Sequence, residues 1–337
     1  MSRTYLGTNK GVARLRDGKL QLLGMEDHGI WAIHAVDGTG DAEGDTILAG
    51  SYGEGVFRSE DGGDTWVEAN EGLTASALRS FLSDPECEEG VLCGTEPGRG
   101  FRSLDGGKSW EELEGIKDVP GCPDWFLPYS PRAGALRNFY SPPGRPEHLL
   151  ASIEVGGLLD SRDGGETWER LDLYRDGIQD DDIHYVSGHP DNPDQLWLAL
   201  GWASMRDRDV DWDALGGIGR SEDGGKTWRK VLEKDYTRAI LVPPSAPDIV
   251  LAGPAKAVGQ QGRIVISSDG GSSWEPAGEG IEEPMTDMVE VFLAGPDGSV
   301  WAICAAGRLF RAEPGEWVWQ SVGLPEGITV ESVCFVG

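Results

Sequence analysis

One eight-residue pattern constrains this chain more than any other feature. It occurs five times: Ser59-Glu-Asp-Gly-Gly-Asp-Thr-Trp66, Ser103-Leu-Asp-Gly-Gly-Lys-Ser-Trp110, Ser161-Arg-Asp-Gly-Gly-Glu-Thr-Trp168, Ser221-Glu-Asp-Gly-Gly-Lys-Thr-Trp228 and Ser267-Ser-Asp-Gly-Gly-Ser-Ser-Trp274. Successive copies start 44, 58, 60 and 46 residues apart. Self-similarity at about 40–50 residues is the signature of propeller blades, and the two longer gaps predict insertions. Each copy reads as a hairpin. Asp-Gly-Gly tolerates positive φ between two strands, the Asp side chain can accept backbone N–H bonds, and the Trp opens the next strand with a large apolar face.

Two weaker copies extend the period at either end. Gly307-Arg-Leu-Phe-Arg-Ala-Glu-Pro-Gly-Glu-Trp317 and Gly11-Val-Ala-Arg-Leu-Arg-Asp-Gly-Lys19 keep a strand and a turn without the full Asp-Gly-Gly core. The reading is therefore all-β: a single seven-bladed β-propeller over residues 1–337, with four-stranded blades. The N-terminus enters at a second strand, Thr4–Gly7, and the C-terminus supplies a lone first strand over 328–336. Pairing these two closes the ring and removes the open edges.

The five boxes resemble the Asp-box (BNR) repeats of sialidases and related glycosyl-hydrolase-like propellers, along the whole length of the chain. In that superfamily the boxes are structural and lie on the face opposite the active site. The resemblance thus implies a fold and directs the search for chemistry to the other face. The Arg-Ile-Pro motif of the sialidases does not occur in the sequence.

Charge narrows the partners. The 58 acidic residues outnumber 29 Lys and Arg, giving a formal net charge of −29, and only eight of the bases are Lys. Nucleic acid and anionic membranes are poor partners for such a surface. The balance suits a salt-rich cytoplasm. The opening residues Met1–Gly7 carry no apolar stretch of the signal-peptide kind, so a cytoplasmic location is expected. Five Cys, odd in number and without C-x-x-C spacing, read as reduced thiols.

Function belongs to the face carrying the links between blades and the turns between second and third strands. Aligning the inner strands on their own endings puts one residue per blade at an equivalent place near the mouth of the central funnel. These residues are Trp31, Arg79, Arg137, His184, Arg238, Glu290 and Glu331. Such a ring is unlike a core layer, because charged groups are seldom buried unpaired. Three Arg forks predict a small anionic ligand, an acidic sugar or a carboxylate. Glu290, Glu331, His184 and Glu154 are the candidate catalytic groups. The competing reading pairs Arg with Glu and plugs the channel. Glu54, Glu96 and Glu154, from turns of three successive blades, are expected to converge on the mouth. The insertions at about 117–134 and 202–215 are expected at the rim, with Trp125, Tyr129 and Trp202 available to stack on a ligand. No cofactor is expected. Asp180-Asp-Asp182 before His184 offers carboxylates to a cation, but with no second His nearby no metal is assigned. The two function classes are a hydrolase or lyase acting on a small acidic molecule, and a noncatalytic propeller that binds a protein partner.

Overall fold

A computed structural model describes residues 3–16, 18–38, 44–127, 134–205, 210–313 and 315–336. Seven antiparallel sheets form a ring. Their innermost strands are Val330–Val336, Ile30–Ala35, Ala77–Ser83, Ala135–Tyr140, Ile183–His189, Tyr236–Leu241 and Val289–Ala294, for blades one to seven. Residues from all seven line one central cavity. Six blades have four strands, and blade six gains a short hairpin strand, Gln260–Gly262.

The ring closes as the sequence requires. Val330–Val336 pairs antiparallel with Arg3–Thr8, from Arg3 opposite Val336 to Gly7 opposite Ser332, and after a one-residue shift Thr8 lies opposite Val330. Blade one is thus made from both ends of the chain.

The boxes behave as hairpin locks. In the first, Ser59 Oγ donates to Asp61 Oδ1 at 2.7 Å and accepts from the Gly63 amide at 2.8 Å. The Thr65 amide and hydroxyl donate to the two Asp61 oxygens at 2.9 and 2.6 Å. Gly62 and Gly63 sit at φ 72° and 98°, where a side chain is strained; a Cβ on Gly63 would also fall 2.6 Å from Leu23. Three of the five box Trp bond across to the preceding blade, while Trp168 and Trp228 bond Gly165 O and Gly225 O within their own boxes. Trp66, Trp110 and Trp274 donate from Nε1 to the carbonyls of Leu23, Ala69 and Val231 in the preceding blade. Blade seven lacks the box but keeps this tie through Trp319, which bonds Ala277 O at 2.8 Å. Trp317, where the degenerate motif ends, is buried two positions earlier.

Every inner strand carries an irregularity at the same place. In blade two Ile30 pairs with Ser51 and Ala32 with Gly50, so Trp31 is the extra residue. The same skip isolates Arg79, Arg137, His184, Glu290 and Glu331, and in blade six it takes Arg238 with Ala239. A bulge leaves its extra residue out of the ladder and re-aims its side chain. This is why seven positions found by strand alignment all face the axis.

Candidate functional site

The seven bulge residues line a cavity of about 560 Å³ at the centre of the ring. Below them the walls turn apolar, with Ile33, Phe81, Leu82, Phe139, Val291 and Leu293. The Arg and Glu residues of the lining are all at bulge positions, while His34, Ser80, Asn138, Tyr185 and Ser332 add other polar groups to the wall.

There the guanidiniums are held by protein carboxylates. Arg79 and Glu96, both buried, form a close ion pair. Glu96 also accepts from Tyr52 Oη at 2.9 Å. Arg137 reaches Glu154 at 3.3 Å and Glu290 at 3.6 Å. Arg238 donates to Glu290 at 2.5 Å and to Tyr236 Oη at 3.0 Å. The Tyr236 hydroxyl stands 2.9 Å from His184 Nε2, and Asp182 Oδ1 is 3.2 Å from the same nitrogen. Five carboxylates (Glu96, Glu154, Asp182, Glu290, Glu331) thus face three guanidiniums (Arg79, Arg137, Arg238).

Unequal neighbours tune two of these acids apart. Burial would raise Glu154, but its cationic neighbours, Arg137 foremost, hold it well below the usual carboxylate range. Glu331 goes the other way: burial within the mouth raises its carboxyl, and the Glu290 charge adds to the rise. One acid is kept ionised and another is biased toward protonation.

The mouth also has an aromatic side. Trp31 and Tyr52 stack with centroids 4.5 Å apart and remain 36% and 39% exposed. The Arg79 guanidinium lies 4.5 Å from the Trp31 ring centre. This contact adds cation–π attraction and fixes the indole at the lip.

Several candidates lie elsewhere. Glu54 does not converge with Glu96 and Glu154; it is exposed and pairs with His28, because its Gly-flanked turn directs it outward. Trp125 is 2% exposed, packed with Ile116, Val119, Cys122 and Ile153, so the insertion folds over its own apolar cluster and this ring cannot stack on a ligand. Met205, from the second insertion, packs on that cluster. Trp202 turns its edge to Tyr236, behind His184, and bonds Lys234 O at 3.1 Å. Tyr129 lies outside the described residues. Sequence reasoning missed Tyr236, which joins Arg238 to His184 from within an inner strand; nothing in its local pattern marks it. The five cysteines are free. Among the described residues no helix is long and apolar enough to cross a membrane.

Ring, boxes and closure define a seven-bladed propeller of the sialidase-like, Asp-box type. No family model matches the chain. It is 25% identical over 298 residues to the photosystem II assembly lipoprotein Ycf48 of Synechococcus sp. (strain CC9902), covering 79% of this chain and 80% of that protein. It is 28% identical over 195 residues to a sialidase of Bacteroides fragilis (strain YCH46), covering 52% of this chain but 33% of the sialidase. Among solved structures it resembles an ancestral GH74 enzyme at a TM-score of 0.61 and 14% identity, over 90% of this chain and 38% of that one. It also resembles YCF48 bound to D1 peptide, at 0.51 and 17%, over 87% and 81%. The chain spans most of the Ycf48 proteins and about a third of the two carbohydrate-named relatives. Propellers of this type thus include an assembly factor and glycosidase-like enzymes.

Proposed function

We propose that the channel mouth binds a hydroxylated ring, a sugar residue, noncovalently. The observation that carries this reading is the exposed Trp31–Tyr52 stack beside Glu290 and Glu331, over a cavity of about 560 Å³. An aromatic face takes the apolar side of a sugar ring, carboxylates accept its hydroxyl protons, and a cavity of this size suits a small ligand. The ion pairs narrow the ligand. Each Arg of the ring is already paired with a carboxylate, so an anionic ligand meets guanidiniums whose charge is offset and carboxylates that repel it, whereas a neutral sugar meets no such repulsion. An acidic sugar is therefore the weaker binder of the class. Calorimetric titration with neutral, amino and uronic sugars tests the reading. Millimolar or tighter binding of a neutral or amino sugar, weakened at least tenfold by Trp31→Ala at unchanged melting temperature, is expected. Equal binding by Trp31→Ala, or binding confined to uronic sugars, contradicts it.

A second reading, a peptide ligand at the same mouth, is favoured by the even coverage of the Ycf48 relatives, one of which is described as bound to a D1 peptide. Binding of a peptide library, but no sugar, at a Trp31-dependent site selects it.

A further inference from the structure

We propose that Glu154, Asp182 and His184 form a binding site for one divalent transition-metal ion, of the Mn²⁺ to Zn²⁺ class, at the wall of the channel mouth. Three different elements deliver the ligands. Glu154 ends the second strand of blade four, Leu149–Glu154; Asp182 lies in the link to blade five; His184 is the bulge residue of blade five. One ligating atom from each lies within 4.8 Å of the other two. All three residues are at least nine-tenths buried.

The second observation is the unsatisfied state of Asp182. Its Oδ2 accepts from the Trp202 amide at 3.1 Å, which pins the carboxylate. Its Oδ1 accepts no hydrogen bond from any described residue, although His184 Nε2 stands 3.2 Å away. The two atoms are close but not aligned as donor and acceptor. A buried acceptor left this way is destabilising, because it has lost its water without gaining a donor. Metal coordination accounts for both the distance and the misalignment. Ligands bound at about 2.0–2.2 Å in a tetrahedron lie roughly 3.3 Å apart and flank one another, each aimed at the ion.

One hydrogen bond at the imidazole is exchanged when an ion binds. Tyr236 Oη accepts from Arg238 Nε, and its own proton is then free to go to His184 Nε2. An imidazole nitrogen has one lone pair, so an ion bound at His184 Nε2 takes the place of this hydrogen bond and Tyr236 Oη turns away from the ring. Two carboxylates supply charge to balance the ion. One imidazole with two carboxylates suits Mn²⁺ and Zn²⁺, while Mg²⁺ and Ca²⁺ prefer all-oxygen sets. His184 also lines the cavity, so an ion there would have one side toward the ligand space. This inference does not depend on sugar binding, and its test contains no sugar.

The full chain is stripped with chelator, desalted and titrated with MnCl₂ and ZnCl₂ by calorimetry, with Mn²⁺ paramagnetic resonance alongside. One ion per chain at micromolar affinity, a raised melting temperature and at least tenfold weaker binding of Mg²⁺ are expected. Asp182→Asn and Glu154→Gln should each weaken Mn²⁺ binding at least 30-fold, while Asp191→Asn, on an exposed turn, leaves it unchanged. His184→Ala serves as a third variant if it folds; the two near-isosteric variants carry the test if it does not. Binding no tighter than millimolar, or affinity unchanged in Asp182→Asn and Glu154→Gln, overturns the proposal.

Discussion

Removing the ten residues after Gly327 deletes the strand that closes the ring. That strand, Val330–Val336, is the inner strand of blade one and supplies every ladder bond on one side of Arg3–Thr8. Val330 and Val333 are buried against Leu6, Trp301 and Leu309, while Phe335, Cys334 and Val336 are partly buried in the flanking clusters. Burying an aliphatic side chain fully is worth about 1.5–3 kcal/mol, so the loss comes to roughly 5–10 kcal/mol before the broken ladder is counted. Domains are stable by about 5–15 kcal/mol in all, so the truncated chain should be largely unfolded or aggregated through its opened edge. Val333→Ala provides a graded version and should cost about 2 kcal/mol. Urea unfolding followed by tryptophan fluorescence reads both. A synthetic peptide of residues 328–337 added in trans should restore part of the lost stability. A truncated chain with the midpoint of the parent would refute the closure argument, whatever Val333→Ala does.

Glu96→Ala leaves Arg79 buried without its partner and should cost about 3–5 kcal/mol, whereas the double change Arg79→Met with Glu96→Leu should cost far less; chemical unfolding of the three proteins separates pairing from packing. The box acids make stability depend on pH. The Thr65 hydroxyl and amide hold Asp61 at about 2, and at Asp105 the upward push of burial is outweighed by Ser109 and Ser103, leaving it also at about 2. Their contribution is fully present above the unfolded value near 4 and is lost as pH falls toward 2, so the urea midpoint should drop steeply in that window. Asp61→Asn should remove about 1 kcal/mol at pH 7, a small figure because the box faces solvent, and an unchanged midpoint would remove the acid from the lock. With 58 acids against 29 bases, molar KCl should raise the melting temperature by screening repulsion; a flat salt response would tie the acidity to something other than solution salt.

The fold was legible because its strongest signal is local. A hairpin that needs two left-handed residues beside an Asp and a Trp leaves little choice at each box, and recurrence does the rest. The ring of Trp31, Arg79, Arg137, His184, Arg238, Glu290 and Glu331 was legible for a different reason. Pseudo-symmetry makes strand endings comparable, so one correct alignment placed seven residues. The physical cause, a bulge in each inner strand, leaves no mark in composition. What those residues do to one another was hidden too. Whether Arg238 is open to a ligand or spent on Glu290 depends on side-chain reach across the channel, which spacing does not encode. The insertions were read least well. Trp125 and Trp202 carry the same chemistry as Trp31, but one lies under a loop and the other turns its edge to Tyr236. A loop aromatic is as able to be core as to be contact, and only the packed chain decides.

The central claim is that the bulge residues build a ligand site at one end of the channel. The most direct measurement is a crystal structure of the protein with the tightest-binding sugar of the panel. The account predicts density for a ring against Trp31 and Tyr52, with hydroxyls on Glu290 and Glu331. Density only on the Asp-box face or in the grooves between blades, with an empty mouth, would contradict it.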